Sequence, residues 1–118
     1  MKESPIFVKT YDLLLWIQKH TGHYPKHERF RLAKRIDDCA YEFYDRLLVA
    51  VLGDEEEISL QEAKILQRKL VILFRISKDC GYMTMDQYLY ISDKLNEIGK
   101  LISVWKKRVS ASKKEAVL

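Results

Sequence analysis

The chain has 118 residues, a formal net charge of +4, and 47% hydrophobic and 32% charged residues. This length fits one domain with a core of its own, and the hydrophobic fraction excludes a disordered chain. The low content of Gly (four) and Pro (two) favours helices, and the mild basic excess points to nucleic acid only where the charge is clustered.

No membrane or export segment is expected. Apolar runs such as residues 13–17 are far shorter than the ~20 residues that span a bilayer. Residues 1–4 lead into a helix without the small-residue cleavage pattern of a signal peptide. Cys39 and Cys80 both fall on apolar helical faces, where buried free thiols of a reducing compartment are expected. These features favour a cytoplasmic protein.

The first two helices are indicated by their end signals. The first begins with Ser4 as N-cap before Pro5 and ends near Gly22 as a left-handed C-cap. It is apolar nearly all round, which predicts burial on more than one side. The second helix is predicted from Pro25 to about Leu52. Its apolar face has three- and four-residue spacing and consists of Phe30, Ala33, Ile36, Ala40, Phe43, Leu47 and Val51.

An acidic connection at residues 53–57 separates the second helix from the third. The third helix is predicted to begin with a Ser59–Glu62 capping box and to end near Gly81. The fourth is predicted to begin with a capping box from Thr84 to Gln87 and to run to about Val109. Four helices with short connections predict an all-α, antiparallel up-down-up-down four-helix bundle over residues 1–110, followed by a flexible basic tail over residues 111–118.

At 100° per residue the third helix carries three separate stripes. Its core face consists of Ala63, Leu66, Leu70, Leu73, Phe74 and Ser77. A second apolar stripe of Ile65, Ile72 and Ile76 is either the broad edge of this core or an interface with another subunit. The all-round apolar first helix favours the interface, and hence a homo-oligomer.

The third stripe of this helix is wholly basic and consists of Lys64, Arg68, Arg75 and Lys78. Two further basic clusters are Arg31, Lys34 and Arg35 in the second helix, beside His27, and Lys106, Lys107 and Arg108 in the fourth. Such stripes are usually solvated faces. The stripe on the third helix lacks the acidic residues that would form i, i+4 pairs along it, and clustered cations bind phosphates in a salt-sensitive way. We therefore predict nucleic-acid binding at these ten residues.

The sequence offers little to catalytic chemistry. His20, His23 and His27 span the end of one helix, a turn and the start of the next, and their spacing matches no zinc pattern. The chain has no Gly-rich phosphate loop, no Glu-x-x-His pair and no Cys placed beside a His. We expect no enzyme, no metal site and no cofactor.

Two segments carry a resemblance to a known family. The stretch from Tyr24 to Phe30 resembles the start of the second helix in small bacterial four-helix-bundle proteins, which include those encoded in intervening sequences of large-subunit ribosomal RNA genes. Gln87-Tyr88, residues 96–102 and Trp105 resemble the last helix of the accessory variability determinant (Avd) proteins of diversity-generating retroelements. One departure is Ser103-Val104, where Avd proteins tend to carry small residues, often Gly-Gly.

The resemblance implies a non-enzymatic accessory protein. Avd-like proteins form ring-like homopentamers with a basic surface, and associate with the retroelement reverse transcriptase and with template RNA during mutagenic cDNA synthesis. The residues themselves indicate only a helical bundle, an oligomer and clustered cations. The alternatives that stay open are a protein-interaction module without nucleic-acid binding and a ligand- or metal-binding bundle that uses the three histidines.

Overall fold

The computed structural model describes residues 4–117, with side chains described from residue 4 to residue 114. This part of the chain is helical, without a strand, in the order α1 (Pro5–Thr21), a 3-10 turn (Lys26–Glu28), α2 (Leu32–Leu52), α3 (Glu56–Asp79) and α4 (Met85–Val117). The all-α prediction is confirmed. The expectation that no signal peptide is present concerns residues 1–3, which lie outside the described residues. The predicted domain limits at residues 1 and 118 also lie outside them.

Neighbouring helices run in opposite directions, because residue numbers rise along one helix as they fall along the next. Between α2 and α3, Cys39 Sγ contacts the carbonyl of Leu66, while Arg46 pairs with Glu62 at 3.2 Å. The same reversal appears in the other helix pairs. Thr21–Asp37 and Gln18–Tyr41 join α1 to α2, and Lys9–Glu97 and Trp16–Tyr90 join α1 to α4. Gln61–Lys106 and Gln67–Leu95 join α3 to α4. In the described part of the chain the backbone of α1 lies close to those of α2 and α4 but not to that of α3. The rings of Trp16 and His20 meet Phe74 of α3 only across the core, so α1 and α3 occupy diagonal corners of the bundle.

The core lies along the bundle axis and is built from the apolar stripes that face inward. Phe43 and Leu47 of α2 and Leu70 and Phe74 of α3 are completely buried. Burying a side chain of this size stabilises the fold by roughly 1.5–3 kcal/mol. The remaining fully enclosed large apolar side chains are Ile17, Ile36, Leu60, Ile91, Leu95, Ile98 and Ile102.

The start of α2 differs from the prediction. The chain leaves Pro25 in an extended conformation, forms one 3-10 turn, and enters α2 only at Leu32. A tertiary contact explains the interruption, because the carboxylate of Glu28 is turned inward and accepts a hydrogen bond of 2.7 Å from the Tyr82 hydroxyl. The prediction that Phe30 belongs to the core is wrong. Its side chain is 79% exposed, since the turn places it outside the helical stripe.

The start of α3 also differs from the prediction. The helix begins at Glu56, so Ser59, predicted as its N-cap, is buried inside the first turns, and Glu62 pairs with Arg46 instead of closing a capping box. Two carboxylates in the first turn, Glu56 and Glu57, suit the positive end of the helix dipole. Acidic residues predicted as a solvated connection therefore belong to the helix.

The predicted capping box of α4 is confirmed, but the predicted end of α4 is not. The amide of Thr84 donates to the Gln87 side chain at 2.9 Å, and the amide of Gln87 donates to the Thr84 hydroxyl at 3.1 Å. The helix then continues to Val117, about two turns beyond the predicted end at Val109. The basic tail predicted over residues 111–118 is therefore helical as far as Val117, and its flexibility stays a prediction.

Two glycines end helices in different ways. Gly81 has a φ of +79°, and the amide of Tyr82 reaches back to the carbonyl of Ser77 at 2.9 Å, which is the Schellman closure of a helix. Gly22, predicted as a left-handed cap, has a φ of −61° and a ψ of −18°, so it is right-handed. Only the first of these positions requires a glycine.

Several residues predicted to be inside lie at the surface. Val51 and Cys80 are exposed, whereas Cys39 is buried as expected, and burial raises the pKa of the Cys39 thiol to about 11. The outer side of α1 leaves Val8, Tyr11 and Leu15 exposed, so the predicted burial of this helix on more than one side is not realised within one copy of the chain. No helix in the described range is long and apolar enough to cross a membrane.

The different backbone conformations of Gly81 and Gly22 allow a matched pair of substitutions. Gly81→Ala should destabilise the fold by about 1–2 kcal/mol, because an L-residue is strained in the left-handed conformation. Gly22→Ala should be neutral or stabilise by up to about 1 kcal/mol, since its backbone is already right-handed and a Cβ there meets only two carbonyls at ordinary contact distance, Lys19 at 3.4 Å and Gln18 at 3.5 Å. Urea unfolding of the two variants measures the difference, and equal effects would contradict the assignment of Gly81 as the cap.

Candidate nucleic-acid interface

The basic stripe predicted on α3 divides into two pairs in the structure. The first pair is held in the seam between α3 and α4. Lys64 Nζ donates to the carbonyl of Gly99 at 3.1 Å and to the hydroxyl of Ser103 at 2.8 Å. Lys78 lies 5.0 Å from the ring centre of Tyr88, close to Asp79, and is mostly buried. These two lysines stabilise helix packing and offer little charge to a ligand.

The second pair, Arg68 and Arg75, is exposed, and neither arginine has an ion pair with a carboxylate among residues 4–114. They lie seven residues apart and therefore on the same side of α3, about 10 Å from each other along its axis. Asp79, one turn beyond Arg75, pairs with Lys78 instead. Because both arginines face solvent without an ion pair in the described range, they are the part of the predicted stripe that is available to phosphates.

The fourth helix continues this surface on the other side of the seam. Lys107 is exposed, and so is Lys100 one heptad earlier. Sequence reasoning did not select Lys100, although its seven-residue spacing to Lys107 and Lys114 is a signal that could have found it. Lys106 is directed to the side chain of Gln61 in α3 and is partly buried.

The register between α3 and α4 arranges these cations in a row. Gln61 lies opposite Lys106, and Gln67 lies opposite Leu95. It follows that Lys107, Lys100, Arg68 and Arg75 succeed one another along the seam over about 24 Å, at 1.5 Å per residue. We call these four residues the seam cations. Such a row matches the extended charge of a nucleic-acid backbone.

Close packing of α3 and α4 beneath this row depends on Gly99. A Cβ at this position would lie 3.1 Å from the amide nitrogen of Gln67, whose side chain donates to the carbonyl of Leu95. Ser103 stands where Avd proteins tend to have a small residue, and its hydroxyl both accepts from Lys64 and donates to the Gly99 carbonyl at 3.1 Å. The serine therefore fits the seam by hydrogen bonding.

The predicted cluster on α2 lies on a different part of the surface. Lys34 pairs with Asp38 at 2.5 Å and Arg31 with Glu28 at 3.7 Å, so two of its three cations form ion pairs, while Arg35 forms none with a carboxylate within residues 4–114. These residues line a groove of about 1010 Å³ between the start of α2 and the end of α3. Arg108, at the opposite end of the bundle, lines a separate groove beside the start of α1.

The isoleucine stripe predicted as an interface is exposed in one copy of the chain. Ile65, Ile72 and Ile76 have exposed fractions of 48%, 59% and 43%. A second exposed apolar stripe, which sequence reasoning did not separate from the rest of α1, consists of Val8, Tyr11 and Leu15. Since α1 and α3 are diagonal, the two stripes face opposite sides of the bundle.

The three histidines have unrelated surroundings. His20 stacks on Trp16 with ring centres 4.9 Å apart, and burial lowers its pKa. His23 contacts the carbonyl of Lys19, whereas His27 contacts the Tyr82 hydroxyl. Among the described side chains no group of three His, Cys, Asp or Glu residues is placed to hold a metal ion.

The Glu28–Tyr82 contact fixes the turn that precedes α2 and gives it a pH dependence. The Tyr82 hydroxyl holds the pKa of the Glu28 carboxyl below its ordinary value of 4.5, and the charge of Arg31 acts in the same direction. A carboxylate whose pKa is lowered by folding stabilises the folded state above its unfolded pKa. This contribution is lost as the pH falls through the lower, folded-state pKa.

We therefore expect Tyr82→Phe to lower the free energy of unfolding at about pH 7, and to lower it much less at an acidic pH below the folded-state pKa of Glu28, where this carboxyl is protonated. Tyr88→Phe is the matched control, because the hydroxyl of this partly exposed tyrosine has no hydrogen bond among the described side chains and its loss should matter equally at both pH values. Urea unfolding measures both. A Tyr82→Phe effect independent of pH would contradict the role of Glu28.

Comparison with known protein families identifies a match for this chain. The sequence model of the family described as bAvd-like matches residues 6–109, from the second residue of α1 to within eight residues of the end of α4. No curated protein matches the sequence. Because the match includes all four helices and both halves of the α3–α4 seam, the chain belongs to the bAvd-like family.

Proposed function

We propose that this Avd-family protein is the non-catalytic accessory protein of a diversity-generating retroelement. It acts in the cytoplasm, binds template RNA or cDNA, associates with the retroelement reverse transcriptase, and thereby supports mutagenic retrohoming. Family membership supports the retroelement context. The observation that carries nucleic-acid binding is the row of seam cations, which are exposed and have no ion pair with a carboxylate among residues 4–114.

The physical argument for nucleic-acid binding is that the seam cations are exposed and lie in a row. Each Lys or Arg that neutralises a phosphate releases condensed counterions, so a row of such residues gives affinity that falls steeply with salt. The backbones under the seam are helical, and the Lys64 side chain joins α3 to α4 beneath the surface. Phosphate contacts of this kind position a strand without reading its bases, so the proposed binding does not depend on sequence.

Self-association belongs to the same proposal. Two different exposed apolar stripes on diagonal helices favour head-to-tail contacts, in which the α3 stripe of one copy packs on the α1 stripe of the next. Contacts of this type close into rings or extend into filaments, whereas a two-fold dimer would use the same patch twice. We propose the closed ring, a homopentamer as in other Avd-like proteins. A ring multiplies the seam cations around an axis.

The test of nucleic-acid binding is charge reversal at the seam. The double substitution Arg68→Glu and Arg75→Glu should weaken binding of a fluorescein-labelled RNA more than tenfold at about 0.1 M salt, and should reduce the slope of log K against log salt by about 2. Fluorescence anisotropy over a salt series measures both quantities, and light scattering verifies that the oligomer is intact.

The matched control is Lys19→Glu with Lys94→Glu, which changes the net charge equally but on the exposed α1–α4 side. A loss of affinity equal to that of the arginine pair would show that only total charge matters. If the unaltered chain fails to bind RNA at low salt, nucleic-acid binding is wrong, and the protein-interaction module becomes the better description.

The test of assembly uses one substitution in each apolar stripe. Ile72→Glu and Leu15→Glu should each reduce the mass in light scattering to that of a single chain, because an unpaired charge would be buried in the contact. Mixing the two variants should then give a 1:1 dimer, since each retains the stripe that the other lacks. Leu52→Glu, at the highly exposed end of α2, is the control and should leave the mass unchanged. A dimer that forms from either variant alone contradicts the head-to-tail arrangement.

A further inference from the structure

A large aromatic side chain is exposed to solvent at the end of the α2–α3 groove. Phe30 is 79% exposed, more than any other aromatic side chain among the described residues. It borders the groove of about 1010 Å³ whose opposite wall carries Lys69, Ile72 and Ile76 of α3. Ile72 and Ile76 belong to the stripe proposed above to contact a neighbouring copy, so a role for Phe30 in ligand binding requires that this contact leave the ring uncovered. The bundle core is complete without the Phe30 ring, so packing within one copy of the chain does not explain why an aromatic residue stands at this position.

The backbone that carries Phe30 is fixed by its neighbours. Glu28 is buried beneath the turn and bonded to Tyr82, which belongs to the connection between α3 and α4. On the other side of Phe30, Arg31 has a φ of −118° and a ψ of −104°, outside the helical region, and the α-helix begins one residue later. The ring is therefore displayed by an ordered turn, which is the property that a stacking platform needs.

The charges around this ring are mostly positive. The exposed cations within five residues of Phe30 are Lys26, Arg29, Arg31, Lys34 and Arg35. Glu28 neutralises only Arg31 in part, because its side chain faces inward. Asp38, which pairs with Lys34, and Glu42 line the groove further along α2. Lys26, Arg29 and Arg35 thus have no ion pair with a carboxylate among residues 4–114.

We propose that Phe30 is a base-stacking platform for single-stranded nucleic acid, with Arg29 and Arg35 holding the phosphates on either side of the stacked base. Proteins that bind single strands combine an aromatic face with flanking cations in this way, because every base offers a π-face once it is unpaired. The inference rests on the proposed nucleic-acid binding and adds a preference for single strands. A duplex, whose bases are already stacked, gains nothing from the ring.

The experiment compares Phe30→Leu with Phe30→Trp. The probes are a fluorescein-labelled 20-nucleotide RNA and the same strand in a perfect duplex. Phe30→Leu should weaken binding of the single strand roughly tenfold, leave the duplex unaffected, and leave the salt slope unchanged because no phosphate contact is lost. Phe30→Trp should restore or increase the affinity, since stacking requires an aromatic face and not merely an apolar one.

Two controls complete the set. Arg35→Ala should weaken single strand and duplex alike and reduce the salt slope by about 1. Tyr90→Leu removes an exposed aromatic ring outside the groove and should change neither quantity. Single-strand affinity that is unaffected by Phe30→Leu overturns the stacking inference and leaves nucleic-acid binding in place. Failure of the unaltered chain to bind either probe overturns both.

Light scattering on the Phe30 variants separates stacking from a contact between copies. A Phe30→Leu chain that keeps the mass of the unaltered protein and loses single-strand affinity supports the stacking role. A Phe30→Leu chain with reduced mass, in which weaker binding follows dissociation, shows that the ring packs on a neighbouring copy, and this result overturns the inference.

Discussion

The packing of α2 against α3 is the contact on which the rest of the molecule depends. Phe43 and Leu47 on one helix and Leu70 and Phe74 on the other are enclosed without any solvent exposure. Turning either helix by one residue would rotate its side chains by 100° and bring buried rings to the surface, so the core allows only one register. This register also determines which α3 side chains point outward. The exposure of the isoleucine stripe and of the two available arginines therefore follows from the register of the α2–α3 core packing.

A single buried carboxylate changes the local structure before α2. The sequence from Pro25 onward has good helix-start signals, yet the chain forms a 3-10 turn because Glu28 bonds to Tyr82, 54 residues away. Local propensity is worth a few tenths of a kcal/mol per residue, and a tertiary contact readily overrides it. The consequence reaches the surface, because Phe30 leaves the apolar stripe and becomes the most exposed aromatic side chain that the structure describes.

Equivalent positions in a sequence stripe are not equivalent in the bundle. Lys64 and Lys78 share the basic stripe of α3 with Arg68 and Arg75, but the first two are held against α4 and only the arginines remain available. The residue pattern within one helix does not show which of its side chains a neighbouring helix covers. For the same reason Lys100 became significant only when the antiparallel register placed it beside the α3 arginines. The sequence made it predictable that this surface is basic, but not which cations are exposed on it.

The sequence by itself determined the all-α class, the number of helices, most of the inward-facing positions, the Thr84 cap and the existence of an isoleucine stripe outside the core. These features depend on residues three or four positions apart, whose relation is set by helical geometry alone. Only the tertiary structure decided where α2 and α3 begin, that Phe30 is exposed, and which cations form a row. Those outcomes depend on contacts between distant parts of the chain, which compete with local preferences and exceed them in free energy.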